Sequence, residues 1–206
     1  KNKYIFVAAP KTGTTSIQEF LLKNDPSASK NHIIINEKRY VFREHMKASE
    51  IKRILGKHYA NFKVFGFMRN PLSKIVSSYF FYKNGNPITK GNKNPWPARV
   101  RTWYARLVPF KIWALTYPYK SNYKYFYDFD KTIIVSYIGV YENLKLHLDK
   151  ILQKLDFPYD INTLQHINKS KHKTDDYYFK NNIFKKIITL KLKKDMQFYE
   201  NFYNNL

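Results

Sequence analysis

Six consecutive positions, Lys11, Thr12, Gly13, Thr14, Thr15 and Ser16, combine a cation, a glycine and four hydroxyls. A backbone turning there into a helix would aim N–H groups and the positive end of the helix dipole at one point, which suits an anion such as phosphate. Gly13 permits close backbone approach, Lys11 adds a point charge, and Thr14, Thr15 and Ser16 offer hydroxyl donors. The same stretch also reads as an ordinary glycine turn capped by threonine. It is not a Walker A loop, which places a lysine after its second glycine, whereas the lysine here precedes Gly13. A second cluster at residues 69–79 (RNPLSKIVSSY) offers Arg69 for a forked contact to phosphate and Ser77 for a hydroxyl to the same group. Taken singly, Arg69 is a solvated surface cation and Ser77 is helix filler.

These residues need elements to hold them. Residues 3–9 (KYIFVAA) predict a parallel strand buried on both faces and ended by Pro10 and Gly13. A helix over 15–23 follows, with Ile17, Phe20 and Leu21 on one face and Thr14 or Thr15 as N-cap. Strand, turn and helix recur at 62–82, where FKVFGFM leads through Arg69, Asn70 and Pro71 to a helix carrying Leu72, Ile75, Val76, Tyr79 and Phe80. Residues 32–36 predict a second strand, 49–55 a helix stopped by Gly56, and 132–137 (TIIVSY) a fourth strand. Leu144, Leu148, Ile151, Leu152 and Leu155 mark a helix ended by Pro158. Residues 84–97, rich in Gly, Pro and Asn, predict a loop suited to covering a site. Residues 98–117 read as helix broken at Pro109, and 160–173 as polar loop. Residues 175–202 read as helix, with Ile183, Phe184, Ile187 and Ile188 facing inward. The expected fold is α/β, one domain over 1–206, with a P-loop-like central parallel sheet flanked by helices on both sides. The anion would lie across the carboxyl ends of the first and third strands.

Composition narrows the chemistry. Lys and Arg number 37 against 15 Asp and Glu, a formal charge of +22, so an anionic partner or substrate is expected. The absence of cysteine excludes disulfides, thiolate zinc sites and a cysteine nucleophile. His166 and His172 bracket five residues but have no cysteine or well-spaced carboxylate to complete a ligand set, so no metal is expected. A P-loop kinase would hold Mg²⁺ with a carboxylate near a strand end, yet the third and fourth strands are read as ending in Met68–Arg69 and Tyr137–Ile138. No run spans a bilayer and no signal core is present, so a cytoplasmic chain is expected; the missing initiator Met leaves an upstream anchor open.

PKTGTTS at 10–16 followed by RNPLSKIVSSY at 69–79 resembles the paired cofactor motifs of the sulfotransferase family. Arg69, Pro71, Ser77 and Tyr79 match its R-x-P-x-x-R-x-x-S-x-Y pattern, and Lys74 replaces the second arginine, keeping charge without the bidentate fork. Residues 138–144 (IGVYENL) and 166–170 (HINKS) are similar to segments of the carbohydrate branch of that family. The resemblance implies a metal-independent transfer of a sulfuryl group from 3′-phosphoadenosine 5′-phosphosulfate to an acceptor hydroxyl, leaving adenosine 3′,5′-bisphosphate. It assigns the 5′-phosphosulfate to residues 11–16, the 3′-phosphate to Arg69 and Ser77, and 3′-phosphate or ribose contacts to Asn168, Lys169 and Ser170, which also read as an exposed basic loop. Lys11 would steady charge on the leaving phosphate, and His45, placed as the branch places its base, would take the hydroxyl proton, although a capping or surface role also fits. His32, His58 and His147 read as structural. The acceptor implied is a glycan, acidic if charge matters, with Tyr82, Trp96, Arg99, Arg101 and Trp103 as wall residues or as a packed aromatic cluster. Nucleic acid is not an expected partner, and the oligomeric state is open. A P-loop-type kinase and a non-catalytic polyanion binder are the alternatives.

Overall fold

The computed structural model describes residues 3–85, 96–156, 158–165, 167 and 172–203. The chain divides into two compact units, Lys1–Arg69 with Ser121–Asn168 and Phe198–Leu206, and Asn70–Lys120 with Lys169–Gln197.

In the first unit, β1 (Tyr4–Val7), β4 (Lys63–Met68) and β5 (Tyr137–Val140) form a parallel sheet in the order β1-β4-β5. The period of two along each strand feeds two cores. Phe65 and Phe67 pack with Ile17, Phe20 and Leu21 of α1 (Thr14–Asn24) and with Leu148 and Leu152 of α6 (Leu144–Leu155). Ile5, Val7, Val64, Met68, Ile138 and Val140 face the other way, onto Ile51 and Leu55 of α2 (Ala48–Leu55) and onto Phe126 and Phe198. Helices therefore cover both faces of a parallel sheet, as expected. His147 of α6 is buried and its Nδ1 accepts the Val140 N–H at 2.8 Å, the structural role expected of it.

Several expectations need correcting. The segment read as a second strand, β2 (His32–Ile35), pairs antiparallel with β3 (Lys38–Val41) and lies outside the parallel sheet. Asn36 and Glu37 join the two strands at φ 48° and 66°, a two-residue left-handed turn made without glycine. The fourth strand of the sequence reading begins five residues late, at Tyr137 rather than Thr132, because Ser136 enters the sheet by donating its N–H to Val64 O at 2.6 Å. Gly13, at φ 76°, caps α1 in place of Thr14 or Thr15. Asp156, left-handed at φ 52°, ends α6 ahead of Pro158.

Gly139 of β5 is where the sheet leaves no room for a side chain. A Cβ there would meet Phe67 Cε1 at 2.4 Å and Cζ at 2.7 Å, and the Phe67 ring is fully buried. Gly139→Ala is expected to destabilise by about 2 kcal/mol and to lower Tm by roughly 4–8 °C. An unchanged melting curve would mean that the ring steps aside.

In the second unit, α3 (Pro71–Lys83) starts on Asn70, whose side chain accepts from the N–H groups of Leu72 and Ser73. α4 (Trp96–Leu107) and α5 (Phe110–Thr116) are separated at Pro109 as predicted. Their core joins Ile75, Val76 and Tyr79 to Trp113, which stacks on Tyr117 at 3.9 Å. Lys191 closes the end of α5 by donating to the carbonyls of Ala114, Leu115 and Tyr117. Residues 175–202 are three helices, α7 (Asp175–Tyr178), α8 (Asn182–Lys191) and α9 (Lys193–Tyr203), rather than one. Phe184 and Ile188 of α8 are buried as expected, whereas Ile183 and Ile187, one position earlier on the spiral, are exposed. Of the loop read at 84–97, residues 86–95 lie outside the described residues.

Candidate anion-binding site

The site is built where β1 stops. Ala9 O accepts the hydroxyls of Thr12 at 2.8 Å and Thr14 at 2.7 Å, folding the turn onto the strand end. Lys11 (φ 67°) and Gly13 (φ 76°) are both left-handed, so the chain reverses within three residues and enters α1. At φ 76° a side chain on Gly13 would be strained, and its Cβ would lie a tight 3.0 Å from two ring carbons of Tyr141. No side chain caps α1, which leaves its first-turn N–H groups as anion donors. The Thr12 and Thr14 hydroxyl protons are committed to Ala9, so donation from Thr14 falls to its backbone N–H. Thr15 is exposed, and Ser16 Oγ accepts the N–H of Ile167 at 2.9 Å. The late loop therefore reaches the first helix at Ile167, while its candidate residues Asn168, Lys169 and Ser170, with His166, lie outside the described residues.

Arg69 follows β4 and joins the same turn. Its Nη1 donates to Lys11 O at 3.4 Å, its guanidinium lies 4.4 Å over the Tyr141 ring, and its own carbonyl accepts from Asn122 Nδ2 at 2.8 Å. Arg69 Nε is buried without a hydrogen-bond partner, which sets it apart from a solvated surface cation and leaves one donor open to an acceptor. Burial, and then the positive charge of Arg69, lower the Lys11 ammonium from its ordinary 10.5 to about 7. Uncapped amides, a cation that titrates near neutrality and a buried guanidinium N–H form a donor set that fits a phosphate or a sulfate.

His45 belongs to this assembly. Its ring Nδ1 lies 2.7 Å from the carbonyl of Ala8, the residue after β1. A carbonyl only accepts, so Nδ1 carries a proton, and in the neutral ring the lone pair then lies on Nε2. Nε2 lies 3.8 Å from Glu44 Oε1. The backbone of His45 is left-handed at φ 56°, so a non-glycine residue is held in a disfavoured conformation beside the turn. Tyr141, which carries Arg69 and packs against Gly13, lies in the segment 138–144 whose likeness to the carbohydrate branch the sequence shows, although residue type and order give it no role there.

In the second unit, Ser77 is buried on α3, Lys74 is almost fully buried with Nζ donating to Lys120 O at 2.7 Å, and the Tyr79 hydroxyl donates to Val108 O at 3.0 Å. Of the wall residues, Arg101 hydrogen-bonds Tyr82, Arg99 and Trp103 are exposed, and the Trp96 side chain lies outside the described ones. β5 ends at Val140, not Ile138, and a carboxylate, Glu142, follows two residues later, accepting from the Tyr199 hydroxyl at 3.2 Å. Contrary to the expectation from sequence, a carboxylate therefore does stand near the end of a sheet strand. Among the described residues, no three His, Asp or Glu gather as a metal-holding group.

No protein-family profile matches the chain. An uncharacterized protein of Archaeoglobus fulgidus is 31% identical to it over 118 residues, 56% of this chain and 87% of that protein. The two belong to one family. Kinship with an uncharacterized protein does not choose a reaction.

Proposed function

We propose that the chain is a sulfotransferase that moves a sulfuryl group from 3′-phosphoadenosine 5′-phosphosulfate to an acceptor hydroxyl, on a carbohydrate. The observation that carries the reading is the convergence of Lys11, the open N-terminus of α1 and Arg69 on one turn beside a histidine whose Nδ1 is held by the Ala8 carbonyl. The bound donor supplies an activated sulfuryl group on a phosphate leaving group. The N–H groups of residues 13–16 hold nonbridging oxygens, and Lys11 neutralises charge on the phosphate oxygen as its bond to sulfur breaks. His45 Nε2 accepts the proton of the acceptor hydroxyl as its oxygen bonds to sulfur. The contacts of Ser77, Asn168, Lys169 and Ser170 rest on motif resemblance.

Glu142 keeps a magnesium triphosphate as the second reading. Titration calorimetry separates the two. Adenosine 3′,5′-bisphosphate should bind in EDTA, and ATP with Mg²⁺ should bind at least roughly tenfold more weakly, a difference of about 1.4 kcal/mol. Tight magnesium-dependent ATP binding with no response to the bisphosphate would replace the sulfotransferase reading with a kinase.

A further inference from the structure

Two adjoining helices of the second unit carry large apolar residues on the side that faces water as well as on the side that faces the core. α4 and α5 pack with α3 through Ala105, Trp113 and Ala114, all fully buried, so their opposite faces turn away from that core. On α4 the opposite face presents Val100, Trp103 and Leu107, 43%, 64% and 59% exposed, at i, i+3 and i+7. On α5 it presents Ile112 and Leu115, 48% and 45% exposed. A single exposed leucine needs no explanation, but five large apolar side chains at helical spacing on neighbouring helices do.

The charges around this face choose its occupant. Arg99 and Arg106 are exposed on α4 and Lys111 on α5, and residues 70–120 contain nine Lys and Arg and no Asp or Glu. A second copy docking face to face would set these cations against their own kind. Tryptophan and aliphatic side chains bordered by arginine and lysine suit the boundary of an anionic bilayer, where acyl chains take the apolar atoms and headgroup phosphates take the cations. We infer that the α4–α5 face docks the protein onto an anionic lipid surface, with both helices lying in the headgroup plane. No helix among the described residues is long and apolar enough to cross a membrane, and the docking inferred here is of two helix faces at the headgroup boundary. It stands independently of the transfer reaction.

Vesicle co-sedimentation of the full chain tests this. Vesicles of phosphatidylcholine with phosphatidylserine should retain the protein, and phosphatidylcholine alone should retain it at least roughly tenfold less. Trp103→Ala with Leu107→Ala should weaken partitioning by about tenfold or more, as should Arg99→Gln with Lys111→Gln, at roughly fivefold per cation removed. All four positions are exposed, and circular dichroism identifies any variant that has lost its fold. Trp103→Phe supplies a second readout: affinity should be retained while the vesicle-induced blue shift of tryptophan emission shrinks. Three outcomes overturn the inference: equal retention by both vesicle types; apolar variants that bind vesicles like the parent while heparin competes fully, which marks a general polyanion surface; or self-association lost in the Trp103/Leu107 variant without vesicle binding, which marks a face between copies.

Discussion

Lys11→Ala is expected to lower sulfuryl transfer by roughly 10²-fold or more, because on the proposed reading it removes an ammonium that neutralises the leaving phosphate. Its chemistry also sets a pH signature. In the free protein Lys11 titrates at about 7, so it is charged below that pH and increasingly neutral above it. A bound dianion favours the charged form, so binding above neutrality requires proton uptake. Affinity for adenosine 3′,5′-bisphosphate should therefore fall as pH rises from 7 to 9, a range above the phosphate's own second ionisation at about 6. The slope has an upper limit of about tenfold per pH unit. Calorimetry in buffers of different ionisation enthalpy measures the uptake directly. Equal slopes and equal proton uptake in the parent and Lys11→Ala would remove Lys11 from the anion site.

His45→Ala should cost transfer a similar factor, roughly 10²-fold, for a different reason. It deletes the lone pair on Nε2 and leaves the turn, Arg69 and the α1 amides in place, so adenosine 3′,5′-bisphosphate should bind the variant nearly as well as the parent. The two substitutions thus separate: Lys11→Ala loses binding and turnover, His45→Ala turnover alone. Transfer is followed with a labelled donor and a panel of glycans. Nitrogen-15 spectra of the histidines should show the His45 proton on Nδ1, where Ala8 O accepts it. Undiminished transfer by His45→Ala would end its assignment as the base.

What the sequence made legible followed from how each signal arises. β1, β4, α1, α3 and α6 were readable because a doubly buried strand leaves an unbroken apolar run and a one-sided helix leaves a 3.6-residue period. β5 was misplaced because TIIVSY has the stronger strand propensity, while the paired segment YIGV contains a glycine that propensity disfavours. Phe67 fills the space where a side chain would stand at Gly139, which is a tertiary fact with no local signature. β3 went unseen because KRYV carries charge on an exposed hairpin and its turn uses Asn36 and Glu37 rather than the usual glycine pair. In the site, the turn and Arg69 could be read from residue type and order. The tautomer of His45, the Arg69–Tyr141 stack and the depressed Lys11 ammonium depend on contacts between residues 37 to 72 positions apart, or on burial.

The paired threonine bonds to Ala9 bear on kinetics. They hold the loop in one shape without a ligand, so on the proposed reading encounter with an anion would require no ordering of the chain there. Capture should then run at a rate set by diffusion and long-range attraction. It should slow as ionic strength rises and show no lag from rearrangement in stopped-flow traces.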